Sequence, residues 1–460
     1  MTPDQLKRLD RELGAFLDQM VTGMGRPERR SAIRHYLTGL LLDGERKSVQ
    51  PMAARLASDT AESDALRQRL QDCVSQSPWS DEEMLRRLAL KLDHEMPGIE
   101  AFVTDDTGFA KKGKYSVGVA RQYSGTLGRT DNCQVAVSLH LAGAKGSGCI
   151  AMRMYLPEGE WVSDQKRRAA AGVPKDVPFL RKWEIALKQL DAALTAGVRR
   201  HIMLADAGYG DATEFRTGIE ERGLSYVVGV SGIPTIWRPG VTPVVPNAPA
   251  VGRPSTRPKA DQSPVSLSSF AGDLKAKQFR SVSWRDGSKG RLRGRFYAAR
   301  IYSAERHTKK TRPTLKPIWL IVEDTGEKKR PFKFYFSNLP ESTSLRRLVT
   351  LIKLRWRVER DYQELKSEIG LDHFEGRTWR GFHHHATLCA VAHGFLALRR
   401  ALFPPEKGEL DAGRTAPSSA AGIAAADRMV PALCETHRRS LTTPSAFETL
   451  MSGASLEATR

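Results

Sequence analysis

At Ile99 the spacing of apolar residues changes period, and this change limits what the chain can fold into more than any other feature. Upstream, Leu6, Leu9, Leu13, Phe16, Leu17 and Met20 recur at steps of three and four, and the stretch 33–42 repeats the pattern. Residues 1–97 therefore read as an all-α domain. Its short basic stretch around Arg26 to Arg34 is compatible with a helix-turn-helix on DNA, although any helical bundle shows the same pattern. Downstream, β-rich runs at 101–104, 115–123, 134–141 and 150–156 are followed by a helical pattern over 179–196 and short strands at 201–205 and 226–230. Strands alternating with helices predict an α/β core over 98–233. Residues 234–264 are rich in proline, serine and glycine and read as a loop or linker. Strands are expected near 279–284, 292–301, 317–322 and 332–336 with no helix among them, which makes 234–343 a β-rich insertion. One long helix over 344–370 and another near 387–402 bring the core to a close over 344–403. The remainder, 404–460, is a tail rich in alanine, serine and threonine.

Charge narrows the function. The chain has 72 Lys and Arg against 52 Asp and Glu, a net +20, which points to a polyanionic partner, DNA before an anionic membrane surface. A drift toward arginine in a GC-rich genome would leave the same excess, so charge does not decide alone. At 460 residues, with 40% hydrophobic and 27% charged residues, neither a single small binding module nor a disordered chain is expected. The five cysteines form no C-x-x-C pair, which argues against a disulfide framework and a zinc knuckle. Lacking an apolar run near the ~18 residues of a membrane span, the chain is expected to be soluble, cytoplasmic and associated with the nucleoid, with no membrane partner.

Three carboxylates stand out by position. Asp105 and Asp206 each end an expected strand, and Glu359 lies within the long helix. Two aspartates on neighbouring strand ends and a glutamate from a helix crossing the sheet can hold a pair of divalent metals through oxygen ligands, an arrangement suited to phosphoryl transfer. Any one of them alone is more simply a turn residue or a solvated charge; only the joint placement carries weight. On a continuous helix with Arg355 at zero, Glu359 falls near about 40° and Lys366 near about 20°, beside a buried stripe of Leu351, Leu354, Val358, Tyr362, Leu365 and Ile369. Glu364 and Glu368 fall on the far side, where solvent is expected. Arg355 and Lys366 would neutralise phosphates beside the scissile bond; the plainer alternative for Arg355 and Glu359 is an i, i+4 ion pair worth ~0.2–0.5 kcal/mol. The clusters Lys111-Lys112-Lys114, Lys166-Arg167-Arg168 and Lys289-Arg291-Arg293-Arg295 are either phosphate-facing surfaces or solvated faces. His383, His384 and His385, with His373 and His393 nearby, point in different directions on one helix and are expected to pack or contact phosphate, not to bind zinc. Trp284 and Trp319, in the expected insertion, could stack on an unpaired base, but core packing is the simpler expectation.

The segment RWRVERDYQELKSEIGLDHFEGRTWRGFHHH resembles the C-terminal catalytic signature of DDE-type bacterial insertion-sequence transposases, specifically insertion-sequence family seven-oh-one. The runs TDDTGFAKKGKYSVGVARQYSGTLGRTDNCQVAVSLHLA, YLPEGEWVSDQKRRAAAGVPKDVPF and LADAGYGD support it, and the blocks together cover roughly residues 30 to 400. The resemblance implies an RNase H-like catalytic core interrupted by the β-rich insertion. It makes Asp105 the first metal ligand, with Asp106 the competing choice, Asp206 the second and Glu359 the third. Arg355 and Lys366 match the arginine and lysine of a Tyr-Arg-Glu-Lys signature, while Ile352 stands at the tyrosine position and removes one hydroxyl contact near the DNA end. The implied cofactor is two Mg2+ ions, with Mn2+ as a substitute. The implied partners are the element's terminal inverted repeats and target DNA, bound by a homodimer; Arg355 and Lys366 are the DNA contacts the resemblance implies, and Lys111, Lys112, Arg291 and Arg293 of the basic clusters are expected to join them. The implied activity is cleavage at the repeats followed by strand transfer. A domesticated regulator that binds DNA without chemistry, and a stand-alone metal-dependent nuclease, are the alternatives.

Overall fold

A computed structural model describes residues 3–244, 258–287, 290–305, 315–328 and 331–403. Five helices come first: α1 (Pro3–Val21), α2 (Pro27–Leu41), α3 (Val49–Leu56), α4 (Thr60–Ser75) and α5 (Asp81–Glu95). Four strands follow, β1 (Ile99–Ala110), β2 (Ala120–Ser124), β3 (Arg129–Gly143) and β4 (Ser147–Met154). Helices then alternate with strands through α6 (Gln165–Ala170), α7 (Lys182–Thr195), β5 (Ile202–Ala205), α8 (Ala207–Gly210), α9 (Thr213–Glu221) and β6 (Tyr226–Val230). Next come β7 (Thr235–Trp237), β8 (Val265–Ser266), α10 (Leu267–Gly272), β9 (Arg280–Gly287), β10 (Gly290–Ser303), β11 (Ile318–Asp324) and β12 (Phe332–Ser337). The described chain ends with α11 (Leu345–Leu354), α12 (Trp356–Ser367) and α13 (Trp379–Leu402).

Two compact units divide the chain. Of the described residues the first takes those up to 87 together with 365–376 and 380–403, so its described helices come from both ends of the chain and not from residues 1–97 alone. Its described elements are helical apart from short turns. Phe16 meets Phe395 at 5.2 Å between ring centroids, Tyr36 shares a 2.9 Å hydrogen bond with Nδ1 of His385, and His384 stacks on Trp79 at 3.9 Å. His383, His384, His385 and His393 are all buried. These histidines pack the helical unit, as their direction along one helix predicts.

The second unit, 88–364 with 377–379, contains one mixed sheet of twelve strands. Its order is β2-β3-β1-β5-β6-β12-β11-β10-β7-β8, with β4 also on β3 and β9 on β10. On one side of β1 the pairing is antiparallel, Asp105 facing Ser138 of β3; on the other it is parallel, β1 to β5 and β5 to β6. The strands of the expected insertion continue this same sheet. The outer edge of β6 would be an unpaired ladder of backbone donors and acceptors; β12 takes it, Phe334 opposite Val230 and Ser337 opposite Val227, and draws β7 to β11 into the same sheet. Helix α10 precedes the strands expected over 279–336, and among the described residues no helix lies between those strands. The strand expected over 115–123 is confined to Ala120–Ser124, and the tail 404–460 lies outside the described residues.

The long helix expected over 344–370 is two helices. Arg355 stands between them, and the Val358 amide bonds the Arg355 carbonyl at three-residue spacing, so the four-residue ladder is interrupted there. Helix α11 buries Leu348, Val349, Leu351, Ile352 and Leu354 against Val103, Leu204, Val227, Phe296 and Ile321 of the sheet. Each fully buried side chain of this size contributes about 1.5–3 kcal/mol, so α11 is fixed on the face where β1 and β5 run side by side. Trp284 and Trp319 pack against the same cluster, as expected. No helix among the described residues is long and apolar enough to cross a membrane.

Candidate functional site

Val103 of β1 lies opposite Leu204 of β5, and two residues further along each parallel strand come Asp105 and Asp206. Asp206 leaves the strand as the N-cap of α8, its carboxylate accepting the Gly208 amide at 2.9 Å. That turn fits because two glycines meet: a Cβ on Gly210 would sit 1.9 Å from the Gly229 carbonyl of β6. Strand alternation separates the neighbouring aspartates. Asp105 accepts Nη1 of Arg355 at 2.8 Å, whereas Asp106 accepts Nζ of Lys182, also at 2.8 Å.

Arg355 completes the array. Its Nη2 donates to Glu359 at 2.7 Å, so one guanidinium spans Asp105 from the sheet and Glu359 from α12. Burial, then the nearby Asp206 carboxylate, pushes the Asp105 carboxyl up to about 7, against the pull of Arg355. Burial raises Asp206 as well, with Arg355 opposing and Asp106 reinforcing. Burial disfavours the charge on Arg355, but Asp105, Glu359 and Asp206 outweigh it and hold its pKa above the ordinary value. Glu359 itself is 63% exposed in its side chain. Among the described residues, no three His, Cys, Asp or Glu side chains are grouped closely enough to hold a metal ion by themselves. The array is a crowded aspartate pair plus a glutamate joined to it through Arg355.

The other residues singled out from sequence are dispersed. Lys366 lies on α12, and burial lowers its pKa. Lys111 and Lys112 follow the end of β1. Arg291 and Arg293 point outward from β10, five places along the sheet order from β1. Within the 166–168 cluster, Arg168 is buried and donates to the Val177 carbonyl at 2.6 Å, and Arg167 pairs with Glu160. That pair of arginines holds the fold. Lys289 lies outside the described residues. Glu364, expected in solvent, is buried and bonded to Arg360 at 2.6 Å. The helical wheel assigned one buried stripe, but α12 is covered on a second side as well.

At the border of the buried stripe, α12 also carries a polar network missed in the sequence. His140 of β3 bonds Asp361 at 2.7 Å, Ser147 donates to the other Asp361 oxygen at 2.6 Å, and the Ser138 hydroxyl joins His140 Nε2 at 2.8 Å to the Tyr362 hydroxyl at 2.6 Å. Burial would lower the His140 pKa, but Cys149 and Asp361 hold it at about 10. Ser138 faces Asp105 across the β1–β3 ladder, and Asp361 follows Glu359 by two residues, so the network ties the strand beside one carboxylate to the helix carrying another. The only signal was a serine and a histidine inside the apolar run QVAVSLHLA.

Comparison with known proteins bears on this site. Over 211 residues the chain is 29% identical to the probable transposase for insertion sequence element IS701 of Microchaete diplosiphon, a stretch covering 44% of this chain and 50% of that relative. The match thus spans half the length of the relative. The sequence profile of the DDE superfamily endonucleases matches residues 19–291, a span that includes Asp105 and Asp206. Since that span is more than half of the chain, the protein belongs to the DDE superfamily endonucleases.

Proposed function

We propose that this protein is the transposase of an insertion sequence, cutting DNA at the element's terminal inverted repeats and joining the freed ends to target DNA. The observation that carries the reading is the placement of Asp105 on β1 and Asp206 just past the end of the adjacent parallel β5, with Arg355 linking Asp105 to Glu359. The order β4-β3-β1-β5-β6, antiparallel on one side of β1 and parallel on the other, supports an RNase H-like core whose sheet is extended by β7 to β12.

Asp105, Asp206 and Glu359 would hold two Mg2+ ions, with Mn2+ an acceptable substitute. The donor chemistry suits a hard cation, being all oxygen, and the two aspartates, whose carboxyl pKa is raised first by burial and then by neighbouring carboxylates, would gain from a cation; Glu359, joined to the pair through Arg355, would have to close on it. When bound, such a pair lowers the pKa of an attacking hydroxyl and offsets charge on the departing oxygen. The chain's own groups orient the substrate. Arg355, already between the carboxylates, is placed to donate to a phosphate oxygen, and Lys366 on the same helix supplies a second phosphate contact. Lys111, Lys112, Arg291 and Arg293 lie outside the array and would hold flanking DNA. Two ends to cut call for two sites, hence a homodimer on DNA, working in the cytoplasm at the nucleoid.

The test is cleavage of a terminal-repeat duplex with Mg2+. Asp105→Asn, Asp206→Asn and Glu359→Gln should each reduce cutting to background while leaving duplex affinity unchanged, because carboxylates and basic surfaces do separate work. Wild-type cleavage in all three variants overturns the site. A wild-type protein that binds the repeat and cuts with neither Mg2+ nor Mn2+ is the regulator instead.

A further inference from the structure

Beyond the end of β1 the sheet narrows to a ribbon. Ala110 of β1 and Ala120 of β2 both face Cys133, one on each flank of β3, so residues 129–132 of β3 run on past β1 with β2 as their strand partner. The connection from β1 to β2 must cross β3, and its first half lies along the flank that β1 vacates. There the Lys111 amide donates to the Asn132 carbonyl at 3.0 Å, and the Asn132 side chain donates to the carbonyls of Lys111 and Gly113 at 2.5 and 3.1 Å. Arg121 faces Asn132 from the opposite flank. Two strand spacings, about 10 Å, thus separate the Lys111 and Arg121 backbones across one surface.

This ribbon carries the two most exposed aromatic side chains among the described residues, Tyr115 at 64% and Tyr123 at 62%. They are set among cations. Lys114 lies 5.6 Å from the Tyr115 ring centroid and Arg377 5.9 Å; Lys112, Arg121 and Arg129 are exposed, and Asp131, bonded to Arg129, is the carboxylate on the same strand. Phosphates of a closed duplex need only the cations. Two exposed rings add something different, flat faces on which bases can stack, and a base is free to do so only when it is not already stacked within a duplex.

We propose that the β2–β3 ribbon and the 111–116 segment beside it bind an unpaired DNA strand, with bases stacked on Tyr115 and Tyr123 and phosphates on the surrounding lysines and arginines. The proposal rests on the nucleic-acid reading above and adds a strand-separated substrate to it.

The test is fluorescence anisotropy of the full chain with a labelled oligothymidylate of about 20 nucleotides and, separately, a duplex of the same length. Tyr115→Ala and Tyr123→Ala should each weaken the single strand about fivefold or more, the loss of one base–aromatic stack, with Tyr115→Phe and Tyr123→Phe close to wild type and duplex affinity unchanged throughout. Both tyrosines are exposed, so matching melting temperatures are expected. Alanine variants that bind the single strand like wild type, beside normal duplex binding, overturn the ribbon proposal alone. Equal weakening of both probes overturns it in favour of a duplex surface. A wild-type chain that binds neither probe removes the nucleic-acid reading itself.

Discussion

Arg355 donates at once to Asp105 and to Glu359, and the two bonds differ in kind. The Glu359 contact is an i, i+4 pair with an exposed partner, worth a few tenths of a kcal/mol. The Asp105 contact involves a carboxylate only 16% exposed and crowded by Asp206, where Arg355 is the cation that makes the charge tolerable. Removing one partner of a buried pair leaves the other uncompensated. Arg355→Gln should therefore cost about 1–2 kcal/mol, below the range for a fully buried pair because Asp105 can take up a proton instead. Urea unfolding in EDTA measures this loss, and added Mg2+ should shrink it, since a cation held by the same carboxylates replaces the missing charge. An unchanged midpoint in EDTA would mean that Arg355 is free to serve DNA alone. Residue by residue, what was legible was a matter of distance along the chain. Arg355 and Glu359 are one helical turn apart and could be paired by counting, whereas His140 and Asp361 are separated by 221 positions and meet only because β3 and α12 are packed together.

Elements place these residues, and their existence was more legible than their partners. The apolar runs located β1, β5 and β6 because β-branched residues in short stretches announce a strand locally; Asp206 does follow the end of β5, whereas Asp105, expected at a strand end, sits in the middle of β1, which pairs with β3 as far as Ala110. Nothing local says which edge a strand will take. That β12 pairs with β6, more than a hundred residues away, depends on an open edge that exists only once the parallel strands have assembled. The break at Arg355 was equally hidden, since LRWRV contains neither proline nor glycine. The turn after β5 shows the opposite case, in which a motif residue can be given its physical role. In LADAGYGD the last glycine lets α8 lie against β6, and with it the cap that aims Asp206. Gly210→Ala would bring a methyl group to 1.9 Å from the Gly229 carbonyl and 3.0 Å from the Val228 Cβ. The backbone must give way, at about 1–3 kcal/mol, and cleavage should fall with it as Asp206 is displaced. Gly272→Ala at the end of α10 meets nothing within 4 Å and should stay within about 0.5 kcal/mol of wild type. If the two substitutions prove equally harmless, the close approach of α8 and β6 does not position Asp206.

At the scale of the whole molecule, the net +20 is not concentrated at the carboxylate array; many of the 72 cationic side chains are engaged in holding the fold. Arg168 is buried on backbone carbonyls, and Arg216 is buried against Glu305. These do not contribute to a DNA surface, so the count of cations overstates the number that meet phosphate. Binding as a function of salt measures the difference. Each phosphate neutralised on duplex DNA contributes ~0.9 to the slope of log affinity against log salt, and each on a single strand ~0.7. If Lys111, Lys112, Arg291, Arg293, Arg355 and Lys366 all meet phosphates, the slope on a non-specific duplex should be about −5, and affinity should drop roughly a thousandfold between 50 and 200 mM salt. The preference for the terminal repeat over that duplex should survive, because base contacts release few ions. Replacing Arg291 and Arg293 by Gln should then flatten the duplex slope by about 2 without removing any member of the carboxylate array. A double variant with the wild-type slope would remove the β10 arginines from the DNA surface, and a flat wild-type response would show that the +20 does not serve DNA.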